Sequence, residues 1–208
     1  MLTINEIFYS IQGESSHAGV PCVFIRLTGC HLRCSYCDTE DAFYKGEKMS
    51  IQEIIKNIQK FNCKTVEVTG GEPLLQENVY KLLDTLVEQG YKVLLETSGA
   101  IFLAKVNKKV IKIIDLKTPS SQMTSHNLWE NLSHLNTHDE IKFVIGDRHD
   151  YEWSKSVITQ YGLLNRCHCI LMSPVHHLLQ PGKLGGWIVN DNLPVRLQIQ
   201  LHKYLEMR

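Results

Sequence analysis

Short apolar runs rich in β-branched residues alternate along the chain with amphipathic stretches. "CVFIRL" (Cys22 to Leu27), "TVEVTGG", "KVLLETSG", "VIKIIDLK", "DEIKFVIG" and "CHCILMS" read as strands, six in all. They are apolar almost throughout, as expected of strands covered on both faces. Between them lie helical periods. "SIQEIIKNIQKF" opens on a capping-box pair, Ser50 and Glu53, and repeats Ile51, Ile54, Ile55 and Ile58 on one face. "LLQENVYKLLDTLVEQG" lines up Leu75, Val79, Leu82, Leu83 and Leu86 and stops at Gly90. "SHNLWENLSHL" and "DYEWSKSVITQYGLL" also read as helical. "SPVHHLLQPGKLGGWIVNDN" is punctuated by Pro and Gly and is expected to be a long loop or irregular insertion. "VRLQIQLHKYL" fits either strand or helix.

Strands alternating with helices imply parallel βα units, hence an α/β fold. With 208 residues, the chain is short for a complete eight-stranded barrel of ~250 residues. A partial parallel barrel of about six strands is expected, in one domain spanning residues 1–208. The polar motifs "TGGEP", "ETSG" and "DLKTP" each end a strand. They should therefore gather at the C-terminal edge of the sheet, where such folds bind ligands.

Charge narrows the function classes. Lys+Arg and Asp+Glu balance at 22 each, with no basic stripe of the kind a nucleic-acid binder carries. The N-terminus lacks a secretory pattern, and no apolar run is long enough to span a bilayer. A soluble, cytoplasmic protein without nucleic-acid or membrane partners is expected.

The sharpest chemical feature is "TGCHLRCSYCDTE", which sets Cys30, Cys34 and Cys37 in a C-x₃-C-x₂-C spacing. Clustered cysteines in a chain of this size point to metal or redox chemistry rather than disulfides. Structural zinc needs four ligands. The fourth would have to be His31 or the distant Cys63, Cys167 or Cys169, and no second cysteine knuckle exists. Cys167 and Cys169 read as core residues of a strand. An iron–sulfur cluster held by three thiolates, with one iron left open, is the alternative.

The spacing, with Tyr36 before the last cysteine, resembles the signature of the radical S-adenosylmethionine (radical SAM) enzymes. "TGGEP" (Thr69 to Pro73) is similar to the glycine-rich loop of that superfamily. The resemblance implies a [4Fe–4S] cluster on Cys30, Cys34 and Cys37 whose open iron is chelated by S-adenosylmethionine. It further implies cofactor contacts from Tyr36, Cys37, Asp38, Gly71, Glu72, Ser98, Lys117, Thr118 and Pro119. Glu96 and Thr97 share the strand end with Ser98 and are candidates for the same groove.

The segment "FYSIQGESSHAGVPCVFIRLTGC" narrows the resemblance to the 7-carboxy-7-deazaguanine synthases. It carries Gln12-Gly13-Glu14, Gly19-x-Pro21, Phe24-Ile25-Arg26 and Cys37-Asp38-Thr39, followed by "TGGEPLLQ", "ETSG", "DLKTPSS", "EIKFVI" and "QLHKYL". Ser15 replaces the usual glycine after Glu14, His31 a frequent asparagine, and the chain ends soon after "HKYL". The resemblance implies ring contraction of 6-carboxy-5,6,7,8-tetrahydropterin to 7-carboxy-7-deazaguanine with loss of ammonia. The implied substrate contacts are Ile11, Gln12, Gly13, Glu14, Arg26 and Thr69, with magnesium on Thr39. A flavodoxin or ferredoxin as electron donor and a homodimer are also implied. A glycyl-radical-enzyme activase and a non-catalytic metal-binding module are the competing readings.

Overall fold

The structure, a computed structural model, describes residues 1–207. Nine strands form one sheet: β1 (Leu2–Ile11), β2 (Pro21–Leu27), β3 (Glu47–Met49), β4 (Thr65–Gly70), β5 (Lys92–Thr97), β6 (Ile111–Leu116), β7 (Glu140–Ile145), β8 (Cys169–Pro174) and β9 (Arg196–Leu197), in the order β3-β1-β2-β4-β5-β6-β7-β8-β9. From β2 onward every pairing is parallel, and β1 runs antiparallel to both neighbours. The six long parallel strands are those read from the sequence. The antiparallel β1 and the two-residue β9 are additions.

Five helices accompany the sheet: α1 (Ile51–Ile58), α2 (Val79–Glu88), α3 (Arg148–Tyr161), α4 (Pro181–Asn190) and α5 (Leu201–Tyr204). The capping box of α1 forms in both directions, Ser50 Oγ accepting from Glu53 N and Glu53 Oε2 from Ser50 N, and Ile54, Ile55 and Ile58 face the core. None of the described helices is long and apolar enough to cross a membrane.

Three elements depart from the expectation. Leu75 lies outside α2 and is exposed. Its segment is a 3-10 turn held back by Gln76, whose side chain bonds the main chain of Thr3 in both directions and the carbonyl of Thr28. "SHNLWENLSHL" forms 3-10 turns rather than an α-helix. There Asn131 spends its amide on the backbone of Leu103, Gly99 and Ile101, and Asn127 on that of Lys117. The stretch expected to be irregular contains α4. Pro181 occupies its first turn, where no N–H is needed, and burial of Leu184 and Ile188 outweighs the low propensity of its three glycines. The ambiguous "VRLQIQLHKYL" becomes both a strand, β9, and a helix, α5.

The loop after β1 does structural work that a full barrel assigns to strands. Residues 14–16 reach across to β7 and to the tail. Glu14 Oε2 accepts from Lys142 at 2.9 Å, Ser16 N donates to Glu140 at 3.0 Å, and Ser15 N donates to Gln198 Oε1 at 2.6 Å. The curved sheet is thereby bridged across its open side.

At the opposite end of the strands, Lys112 and Asp139 form a fully buried ion pair at 2.7 Å. Asp139 also accepts from the backbone of Lys112 and Asn136. Lys112→Met would leave that carboxylate buried without its cation. A loss of about 3–5 kcal/mol is expected in urea unfolding, and a change under about 1 kcal/mol would show the pair to be dispensable.

Candidate active site

The C-terminal strand ends and the cysteine loop enclose a cavity of about 1090 Å³. This exceeds the usual volume of a single small-molecule site, ~300–1,000 Å³. Cys30, Cys34 and Cys37 lie at its edge, half-buried and free. Burial pushes the Cys30 and Cys34 thiols up, while Lys117 pulls both back. Thiols so placed become thiolates when a metal binds them.

Three later segments hold the cysteine loop. Glu72 N donates to Gly29 O at 2.8 Å, bringing the glycine-rich loop against the first cysteine. Ser35 donates through N and Oγ to the carbonyls of Ser121 and Ser120. Asp38 accepts from Gln200 at 3.1 Å and Lys203 at 2.9 Å, so the tail closes on the loop's far side. Burial works to raise the Asp38 carboxyl, but Lys203, Gln200 and Thr39 overcome it and hold it well below the usual range.

The two glycines of "TGGEP" have a packing reason. Gly70 has φ +153°, and a Cβ there would lie 2.3 Å from Leu27 O. A Cβ on Gly71 would meet Gly29 O at 2.4 Å and Cys30 Cβ at 2.7 Å. Glu72 is fully buried. Its carboxylate accepts from Leu74 N, Thr97 Oγ1, Ser98 N and Ser98 Oγ, clamping this loop to the end of β5.

Of the expected cofactor contacts, Tyr36, Cys37, Asp38, Gly71, Ser98 and Lys117 line the cavity. Glu72, Thr118 and Pro119 do not. Glu72 is consumed by its clamp, and Thr118, fully buried, bonds Val144 O at 2.7 Å. The expected substrate contacts Ile11, Gln12, Gly13, Glu14, Arg26 and Thr69 all line it, as does Thr39. Gln12 is already engaged: Nε2 donates to Glu67, and Oε1 accepts from Glu14 N at 2.9 Å. Arg26 Nε donates to Glu6 at 2.9 Å. Thr39 Oγ1 donates to Asp38 Oδ1 at 3.1 Å.

An ionic floor, mostly absent from the sequence reading, lies between these groups. Lys142 reaches Glu14, Glu96 and, at 3.7 Å, Asp115. Lys117 pairs with Asp115 at 2.9 Å. Glu67 is buried beside Glu96 and Glu14, and burial together with those charges drives its carboxyl well above the usual range. The signal was present in the sequence: Glu67, Glu96, Asp115 and Lys142 each interrupt an apolar strand, and the parallel register sets all four on one face of the sheet.

Among the described residues no three His, Cys, Asp or Glu side chains converge on a site for a single metal ion. That argues against a zinc knuckle. A cluster provides each thiolate with its own iron, so three separated thiols at a cavity rim suit it.

Gly71→Ala is expected to displace the cysteine loop and cut the iron bound per chain by more than half, read by metal analysis after reconstitution. Ser15, where relatives of this motif use glycine, has φ +62° and holds its turn through Ser15 Oγ accepting from His17 N. Ser15→Gly relieves the strain and loses that bond, so its Tm should stay within a few degrees of the parent, whereas Ser15→Val should lower it clearly.

The Radical SAM superfamily profile matches residues 24–174. The 7-carboxy-7-deazaguanine synthase of Koribacter versatilis is 46% identical over 98% of this chain and 96% of its own. That of Chlorobaculum tepidum is 47% identical over 98% and 94%. The crystal structure of QueE from Escherichia coli superposes with a TM-score of 0.80 at 26% identity, covering 97% of this chain and 94% of that one. The chain belongs to the radical SAM superfamily and, within it, to the family of 7-carboxy-7-deazaguanine synthases.

Proposed function

We propose that this protein converts 6-carboxy-5,6,7,8-tetrahydropterin to 7-carboxy-7-deazaguanine with release of ammonia, a step of deazapurine and queuosine biosynthesis. The observation that carries this reading is the near-full-length identity to synthases of that name. The meeting of the "QGE" segment with the cysteine loop in one cavity supports it.

Cys30, Cys34 and Cys37 would hold the [4Fe–4S] cluster, and Tyr36, Asp38, Gly71, Ser98 and Lys117 the S-adenosylmethionine beside it. When bound, these groups supply the radical chemistry that takes a hydrogen atom from the substrate and returns it. The chain's own residues do the rest. The main chain at Ile11 and Gly13 meets the N–H edge of the pterin, with Gln12 and Glu14 holding that segment in place. Arg26, steadied by Glu6, presents its planar cation to the substrate carboxylate. Thr39 offers a hydroxyl oxygen to magnesium, which tolerates a sparse protein shell. Thr69, on the inner face of β4, packs beside the substrate. A flavodoxin or ferredoxin supplies electrons, and the enzyme acts in the cytoplasm as a homodimer.

An anaerobic assay with reductant, S-adenosylmethionine and 6-carboxytetrahydropterin tests the reading, and absence of ammonia and deazaguanine product would refute it. In that assay Arg26→Ala should lower catalytic efficiency about ten- to hundredfold, the loss of one charge-assisted contact worth ~1.5–3 kcal/mol. Iron content should stay normal. Thr39→Ala should chiefly blunt the response to added magnesium, and an unchanged magnesium dependence would place the metal elsewhere.

A further inference from the structure

The reaction proposed above, on which this inference rests, leaves two proton transfers for the protein. After ring contraction and return of the hydrogen atom, the intermediate must lose a C–H proton and expel its amino group. The electron pair of the C–H bond becomes the new ring double bond. The pair of the C–N bond leaves with nitrogen, which takes a proton and departs as ammonia. No oxidant or reductant is needed, and the protein's own proton count is unchanged. One residue that accepts the carbon proton and delivers a proton to nitrogen suffices, provided it faces the cavity and can exist in both forms.

His176, His177 and His202 border the cavity from the segment after β8 and from the tail, while the floor itself is built from charged side chains of β4 to β7 and the β1–β2 loop, most of them committed to partners. Glu14 has both oxygens occupied, Oε2 by Lys142 and Gln198 and Oε1 by Gln200. Burial raises its carboxyl, yet Lys142 and Gln200 hold it below the usual range, so it stays ionised. Glu67 gives Oε2 to Gln12 and is buried, where the Glu96 side chain is about one fifth exposed; burial with its neighbours Glu96 and Glu14 drives the Glu67 carboxyl well above the usual range. Burial acts to lower Lys142 and Lys117, but the carboxylates around them hold both above the usual range, and they remain cations. Asp115 gives Oδ2 to both lysines and lies on the side of Cys34 and Tyr36.

Glu96 differs. Oε1 accepts from Lys142, while its second oxygen has no partner among the described residues and, not being enclosed, opens on the cavity. Its backbone is rigid because the next two residues, Thr97 and Ser98, are clamped by Glu72. We infer that Glu96 is the acid–base residue of the closing elimination, taking the proton from carbon and passing one to the departing nitrogen, with Lys142 fixing its orientation. Burial, offset by Lys142 and reinforced by Glu14 and Asp115, pushes the Glu96 carboxyl up to about 7, so both forms are populated near neutral pH. Glu67 and Lys117 complete the charged groups around it.

Substrate deuterated at C6 separates the two halves of the reaction. Wild type should transfer deuterium into S-adenosylmethionine and release ammonia, with the ammonia rate falling as pH drops through about 7. Glu96→Gln should keep the deuterium transfer, lose roughly a hundredfold in ammonia release and lack that pH limb, and Glu96→Asp should restore part of the rate. In cluster-free protein, both variants should bind the fluorescent analogue 6-carboxypterin within about threefold of wild type, which also reports a folded cavity. Wild-type ammonia release by Glu96→Gln, or the same pH limb in it, would overturn the assignment. So would loss of deuterium transfer or of analogue binding in that variant, because Glu96 would then be a positioning residue. Failure of wild type to transfer deuterium would instead refute the proposed substrate.

Discussion

The ammonium of Lys142 is the constraint on which the site depends. It is almost entirely buried on β7, and it touches carboxylates from the β1–β2 loop, β5 and β6. An isolated buried cation is costly, so the three acidic partners must be present and correctly spaced. The converse also holds, because without the lysine Glu14, Glu96 and Asp115 would repel one another in a low dielectric. One ion therefore fixes the curvature of the sheet, the seat of the "QGE" segment and the polarity of the cavity floor.

A second coupling joins the glycine-rich loop to the cysteine loop. The glycine-rich loop packs so closely on Gly29 and Cys30 that only hydrogen fits where Gly71 would carry a Cβ. Glu72 transmits that contact to the end of β5 through Thr97 and Ser98. The cysteines are thus positioned by a neighbouring strand end rather than by their own short loop. The tail completes the enclosure. Leu201 N bonds Gly13 O at 2.9 Å, while Gln200 bridges Glu14 and Asp38. The C-terminal segment thus reaches both the "QGE" segment and the cysteine loop.

The floor carries four carboxylates, Glu14, Glu67, Glu96 and Asp115, against two lysines, Lys117 and Lys142. Such an excess cannot stay fully ionised when buried. The side chains differ in how they resolve it: Lys142 and Gln200 hold the Glu14 carboxyl below the usual range, burial and its acidic neighbours drive Glu67 well above it, and Glu96 lies between. Equivalent residue types on adjacent strands acquire different roles through their partners alone.

The sequence by itself determined the six parallel strands, α1 with its capping box, and the stop of α2 at Gly90, because periodicity and capping are local. The cysteine spacing and the "TGGEP", "QGE" and "DLK" motifs also named the chemistry, since ligand identity and order are written in the chain. Tertiary structure decided the rest. Leu75 left its helix because Gln76 bonds β1, and α4 formed against its propensity because Leu184 and Ile188 find a core. Glu72 and Thr118, expected as cofactor contacts, also bond Thr97, Ser98 and the carbonyl of Val144, partners about 25 residues away that no local pattern names. Glu67, Glu96, Asp115 and Lys142 gain their meaning only when parallel strands set them side by side. A charged residue in an apolar run does not say whether it is paired, and that depends on register and curvature.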